Sequence, residues 1–399
     1  MMDLLDTLSN INLSASGLYC DLNVTNLTSP ADNTSNSDLC RIASGEIISK
    51  PAVFRIGATV FAYFTPLIFV VGIVGNGLSL SVFRSTKLSK LSASKYLAAL
   101  SLADISSLIF YVLVEWLRRG LEHIVPDIEL AFLHKNGFCQ VILYMSYISR
   151  LMSSWIIVVF TIERFTCVCY PLRSFKRGAR KILLSMFALS CLLVLYKPIL
   201  SGEYSKSGVT VCTANPEFKL VSFALDGTFA IAITLIPFII ITVLNILIVR
   251  KLFLRNRESR DLFSDDSTIR LEFTLILLAI SFFFVAFNLP FSVVWARNHL
   301  YFNVNQSRSN KTVDVDYWIG IQLITRTVFY MNYCINFFLY SITGKYFRTA
   351  LFEMITCKGS SRNRYGSYIK CRRLGSSNTH VTVCDKRSGS MKSHSEAQM

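Results

Sequence analysis

CQVILYMSYISRLMSSWIIVVFTIERFTCVCYPL, residues 139–172, decides the fold. The run is mostly apolar. It begins with Cys139, reaches Glu163-Arg164-Phe165, and closes on Cys169-Tyr170-Pro171-Leu172. As an α-helix, Cys139 to Arg164 spans roughly 37 Å at about 1.5 Å per residue. A bilayer core is about 30 Å thick. The cysteine therefore belongs at one lip of a membrane and the Glu-Arg pair at the other. A disulfide-capable outer end and a charged inner end point to a helix that passes a signal.

The rest of the chain supports a polytopic, all-α membrane protein. Of 399 residues, 52% are hydrophobic and 17% charged, against about 25% charged in soluble domains. Mean hydropathy is +0.45. Seven stretches are long enough to cross as helices: residues 57–83, 92–117, 137–164, 181–201, 220–250, 271–296 and 317–341. No secretory signal precedes them, because Asp3 and Asp6 replace a basic start. The first span is expected to export its own N-terminus. No internal repeat is evident, which weighs against a transporter.

Charge sets the orientation. Arg84, Lys87 and Lys90 follow the first span, and Arg173, Lys176, Arg177, Arg180 and Lys181 follow the third. Beyond Ser341 lie eleven Lys/Arg against three Asp/Glu. By the positive-inside rule these segments are cytoplasmic. The net charge of +16 then reads as a basic face near anionic lipid, with no call for nucleic acid. N-glycosylation sequons at Asn12, Asn23, Asn26, Asn33, Asn305 and Asn310 all fall on the other side. So do Cys20, Cys40, Cys139 and Cys212, which allow three disulfide pairings. The expected division is 1–54, an extracellular glycosylated tail; 55–341, the seven-span domain; 342–357, an amphipathic helix on the inner membrane surface; and 358–399, a disordered, basic, Ser-rich cytoplasmic tail. In that helix Phe347, Leu351, Met354 and Ile355 line one face and Lys345 and Arg348 the other. Cys357 follows as a palmitoylation candidate. Alternation over Ser207–Thr213 predicts a hairpin, and residues 251–270 read as helical extensions of the fifth and sixth spans.

Charged residues inside a membrane cost about 2.5–3.5 kcal/mol each on insertion scales and are functional candidates by default. The first is Asp104, within Leu102-Ala103-Asp104. With Gly75-Asn76, Cys139, Glu163-Arg164-Phe165, Pro237, Phe284 with Pro290, and Asn336 with Tyr340, in that order and spacing, residues 57–356 resemble the rhodopsin-like (class A) G-protein-coupled receptors. The resemblance implies that Arg164 is a switch arginine restrained by Glu163, and that Leu172 meets a Gα subunit. Phe165, Asn336 and Tyr340 complete that coupling region. It also implies that Asp104, Ser153, Asn332 and Asn336 match positions that hold a sodium ion, an oxygen set suited to a hard cation. Arg150, one turn outward of Ser153, is placed to pair with Asp104 and displace that ion. Of the three pairings, Cys139–Cys212 is favoured, which leaves Cys20–Cys40 to close a loop in the tail.

Negative evidence narrows the ligand. Ser146 stands where amine receptors of this family carry an Asp, and Tyr330 where opsins carry a retinal-binding Lys. A glycosylated tail and charged outer helix ends fit a peptide better. The expected pocket holds Glu115, Trp116, Ser146, Tyr147, Arg150, Asp226, Asn288, Trp295, Arg297, Arg326 and Tyr330. Glu115 and Asp226 would receive basic groups or an amidated, Arg-containing end, and Arg326 or Arg297 an acidic one. Internal Glu–Arg pairing is the competing reading.

Several residues depart from the family pattern. Asn288 replaces a Trp, Phe337 a Pro, Asn245 a Tyr, and Arg270 an acid, with Glu272 nearby on another face. The run Ile335-Asn336-Phe337-Phe338-Leu339-Tyr340 with Gly344-Lys345-Tyr346-Phe347-Arg348 is similar to invertebrate neuropeptide receptors of FMRFamide- and myosuppressin-like type. That implies an amidated peptide ligand and an invertebrate source. The resemblance further implies a plasma-membrane protein that works with heterotrimeric G proteins, and with arrestin and receptor kinases through its Ser-rich tail. It implies no catalytic activity and no cofactor beyond the sodium ion. The alternatives are a constitutively active receptor or one for a non-peptide ligand, and a transporter or channel. An enzyme is disfavoured because His123, His134, His299, His380 and His394 all lie outside the expected spans.

Overall fold

A computed structural model describes residues 50–85, 88–89, 91–125, 130–170, 178–206, 209–258, 265–304 and 312–356. The six sequons, Cys20, Cys40, Leu172 and Cys357 lie outside them, as does the side chain of Arg270. The chain divides into two compact units, Met1–Leu351 and Phe352–Met399. Every membrane crossing lies in the first.

Six helices are long and apolar enough to cross a membrane: α1 (Ala52–Arg84), α2 (Ser92–Ile124), α3 (Phe138–Cys169), α4 (Ala179–Ile199), α5 (Pro216–Leu254) and the Leu271–Tyr301 part of α6 (Asp265–Val304). The seventh crossing is made of two pieces, α7 (Thr312–Tyr330) and α8 (Asn332–Thr343), interrupted at Met331. Backbone hydrogen bonds bridge the interruption, from Met331 N–H to the Val328 carbonyl and from Cys334 and Ile335 N–H to the Met331 carbonyl, and Asn76 ties α1 to the start of α8. Its Nδ2 donates to the Tyr333 carbonyl at 2.6 Å and to its own helix at Gly72. α9 (Lys345–Ile355) begins one residue after α8, with Phe347 packed on Tyr340 and Phe83.

The apolar residues divide by partner. Tyr96, Leu97, Phe160, Ile241, Ile276 and Leu277 are buried in one cluster, and Phe61, Leu108, Tyr111 and Tyr330 in another. Leu184, Leu192 and Ile199 on α4 are 69–70% exposed, which is stable only against lipid. Where two helices meet without bulky side chains, their backbones touch. A Cβ on Gly57 would come within 2.4 Å of the Gly320 carbonyl oxygen, so α1 and α7 cross closely through small residues.

Two helices carry one wide turn each, at Leu108–Leu113 in α2 and Ile231–Leu235 in α5. Such π-turns shift the register of the following face. The indole N–H of Trp155 on α3 donates to the Ala232 carbonyl in the second of them at 3.0 Å. Two strands follow α4: β1 (Ser201–Lys206) and β2 (Val209–Ala214), antiparallel with Glu203 opposite Cys212. Cys139 and Cys212 form a disulfide, with their Cα atoms 5.7 Å apart. It ties the first turn of α3 to the hairpin. Gly137, at φ 89°, turns the chain into that helix, a conformation glycine adopts without steric cost.

The expected spans were short at several ends. α2 runs to Ile124 and takes in His123, and α6 carries His299 inside its apolar span. Both histidines therefore lie on helices that extend past the expected spans, near their ends. His299 is accommodated by stacking between Phe223 and Trp295.

Candidate functional site

Three groups of polar side chains are strung along α3. The first, near its Cys139 end, surrounds a cavity of about 60 Å³ lined by Tyr111, Leu143, Tyr147, Arg150, Lys197, Asp226, Phe291, Trp295, Gln322 and Arg326. Its charges are organised by residues from opposite helices. Lys197 Nζ lies 2.9 Å from Asp226 Oδ2, joining α4 to α5. Asp226 Oδ1 also accepts from the Tyr147 and Tyr196 hydroxyls at 3.0 and 3.1 Å. Arg326 on α7 pairs with Glu115 on α2, which also holds Arg119 at 2.7 Å. Glu115 is only 1% exposed. Its two arginine partners supply the compensation a buried carboxylate requires.

Arg150 is different. Its guanidinium carbon lies 4.3 Å from the centre of the Tyr111 ring, 4.5 Å from Tyr147 and 5.1 Å from Phe229. Its Nε donates to the Ser146 carbonyl at 3.2 Å. The expected Arg150–Asp104 pair does not form. The three ring faces attract the cation electrostatically and hold it a turn outward.

The second group is centred on Asp104, which is fully buried. Ser153 Oγ and Asn336 Nδ2 each donate to it at 2.7 Å. Beside them a cavity of about 20 Å³ is lined by Arg150, Ser153, Ser154, Asn288, Asn332, Tyr333 and Asn336, with apolar residues. That is room for about one water-sized occupant. The oxygen set is of the kind a sodium ion takes. A guanidinium lining the same small cavity opposes a second cation there, so the residues present fit resident sodium poorly. Among the described residues no cluster of His, Cys, Asp and Glu could hold a metal.

The third group lies at the other end of α3. Arg164 Nη2 is 3.3 Å from Glu163 Oε2, and its guanidinium lies over the Phe160 ring at 5.5 Å. Tyr96 stacks on the far side of this cluster against Phe160. Tyr340 is buried between Phe83 and Phe347. Glu272 on α6 accepts from the Tyr346 backbone N–H at 2.8 Å. It caps the first turn of α9, a use its spacing from Arg164 does not reveal.

The matching family model is that of the 7 transmembrane receptor (rhodopsin family), over residues 75–340. The chain belongs to this family. Members are signalling receptors and not enzymes, and this receptor is a multi-pass membrane protein. It is 24% identical over 334 residues to the thyrotropin-releasing hormone receptor of Bos taurus, covering 74% of this chain and 78% of the relative. It is 25% identical over 336 residues to the C-C chemokine receptor type 7 of Bos taurus (79% and 82%). With the cysteinyl leukotriene receptor 2 of Mus musculus it shares 25% over 304 residues (72% and 90%).

Of the receptor's expected pocket residues, Tyr147, Arg150, Asp226, Trp295 and Arg326 line one cavity. Glu115 stands behind Arg326. Asn288 lines the smaller cavity, its amide donating to the Phe284 carbonyl. Trp116 donates to the Ala62 carbonyl on α1 and Tyr330 packs edge-on to Tyr111; neither lines the cavity. Ser146 contributes only its carbonyl to Arg150, and Arg297 lies over Trp318. Lys197 and Gln322 were missed. Lys197 carries the same signal as Asp104, a charge within a span, and a complete list of such charges would have found it. Gln322 carries none.

Proposed function

We propose that this receptor binds an extracellular peptide in the cavity at the Cys139 end and passes the signal to a heterotrimeric G protein at the Arg164 end. One observation carries the reading. α3 is a single continuous helix with cavity-lining Tyr147 and Arg150 in its first half and the Glu163–Arg164 pair at its far end. A ligand that changes the packing around Tyr147 acts on the same rigid element that holds the switch. Binding then shifts a pre-existing equilibrium in which Arg164 leaves Glu163 and meets the Gα subunit together with Leu172. Names of two relatives, for a hormone and for C-C chemokines, support a peptide.

In this reading the protein sits in the plasma membrane with its N-terminal tail outside and its Ser-rich tail inside, available to arrestin and receptor kinases. The sequons are glycosylated and Cys357 is palmitoylated. Sodium has little hold at Asp104, because Arg150 already supplies a cation nearby. A second reading, a small non-peptide ligand, is favoured by the modest cavity and by the relative named for a cysteinyl leukotriene.

The test is a panel of amidated and free-acid peptides on cells with verified surface receptor, read through several Gα reporters. A saturable response that Arg164→Ala abolishes is expected. Silence across the panel contradicts the peptide reading.

A further inference from the structure

We infer that the deepest group of the ligand is a carboxylate, and that Arg150 is the residue that receives it. This rests on reading the cavity as the ligand site and goes on to name the chemistry it selects.

The two carboxylates near the cavity are already used. Asp226 accepts from Lys197, Tyr147 and Tyr196, and Glu115 holds Arg119 and Arg326. Asp226 is engaged on both oxygens, and Glu115, whose Oε2 is buried without a hydrogen-bond partner, lies outside the cavity lining. Unmet need in the lining is all of the opposite kind. Gln322, 1% exposed, and Arg326, 4% exposed, each carry a buried N–H without an acceptor, Nε2 and Nε respectively. The Gln322 oxygen is taken by Asn298 Nδ2 at 2.8 Å. Arg150 meets one carbonyl, the Tyr147 side chain and three ring faces, and among the described residues no carboxylate within ion-pair distance. A guanidinium presents five donors in a planar fork that matches a carboxylate edge. A ring face attracts charge but accepts a hydrogen bond only weakly, so the rings round Arg150 do not match its charge as an acid would. An acceptor-only anion answers the charge of Arg150 and the unmet N–H groups of Gln322 and Arg326. A cation or a neutral amide end does not. The expected amidated peptide is compatible only if it brings an acidic side chain. The alternative source is a free C-terminal carboxylate.

The test uses the full-length receptor in nanodiscs and two small probes of equal shape, phenylacetate and phenylacetamide. Phenylacetate at several times its dissociation constant is expected to raise Tm by about 2 °C or more. Phenylacetamide leaves Tm unchanged, and the phenylacetate shift is lost in Arg150→Gln. Equal shifts from the two probes, or a phenylacetate shift that survives in Arg150→Gln, overturn the inference. Should Arg150→Gln fail to reach the membrane, Arg150→Lys serves; it must keep the preference for phenylacetate, and loss of that preference also overturns the inference. The peptide panel separates the two carboxylate sources, since exchanging Asp or Glu for Asn or Gln, and acid for amide ends, removes activity in one arm only. It also separates this inference from the peptide reading. Active peptides indifferent to both exchanges sink the carboxylate and keep the peptide. A probe shift with a silent panel keeps the carboxylate and sinks the peptide.

Discussion

Two neighbouring regions of the upper bundle handle intramembrane charge in opposite ways. Around Glu115 and around Asp226, acids and bases from different helices close on each other, Arg326 across from α7 and Lys197 across from α4. Between them Arg150 has ring faces and one carbonyl instead. The paired regions are fasteners: removing one partner takes away charge that compensates the other. The caged arginine fastens nothing of opposite charge, so its cost is borne for another purpose. The same helix shows the contrast at its far end, where Arg164 is held by its own neighbour Glu163, a restraint that can be released without separating two helices.

The largest effect should come from the fasteners. Glu115→Gln leaves Arg326 and Arg119 facing each other with no acid between them, and should cost about 3–5 kcal/mol, read as a fall in Tm and in surface expression. An unchanged Tm would place Glu115 outside the stabilising network. Breaking the disulfide comes next. Cys139→Ala frees the hairpin from α3 across a sequence separation of 73 and should cost about 2–4 kcal/mol and reduce surface delivery. Normal delivery and stability would remove the bridge from the account. Asp226→Asn keeps an acceptor for Tyr147 and Tyr196 but removes the negative charge that Lys197 faces, at about 2–3 kcal/mol. Adding Lys197→Met should recover most of that loss, and a double variant no better than the single breaks the claim of pairing. Smallest of all, Trp155→Phe removes one hydrogen bond to the wide turn of α5 and should lower Tm by the equivalent of about 1 kcal/mol.

The crossings were legible because membranes punish polarity: long apolar runs bounded by Lys and Arg have few other readings. The hairpin showed in its alternation, and Asp104, Ser153 and Asn336 met as their family positions imply. What escaped is what depends on the third dimension. No residue pattern announces the π-turns of α2 and α5, which arise from packing. The break at Met331 reads as unbroken helix in the sequence, and nothing there announces the bond that Asn76, far away in the chain, makes to the Tyr333 carbonyl beside it. Arg150 was placed correctly along α3, and its pairing with Asp104 was not. A one-dimensional spacing brings both charges to neighbouring depths, but the aromatic rings that hold the guanidinium come from α2, α3 and α5 together. Glu115 and Asp226, read as hands for a ligand, are occupied by the protein itself.

The most direct measurement compares two arginine variants in one preparation. Arg326→Met removes half of a fastener, and Arg150→Met removes the caged charge. Tm of the ligand-free receptor should fall in the first and rise in the second, the rise amounting to about 1–3 kcal/mol, because an intramembrane cation without an acid is costly to hold. A fall in both would mean that Arg150 is as much a structural fastener as Arg326, and would contradict the account of it as a residue kept for an incoming anion.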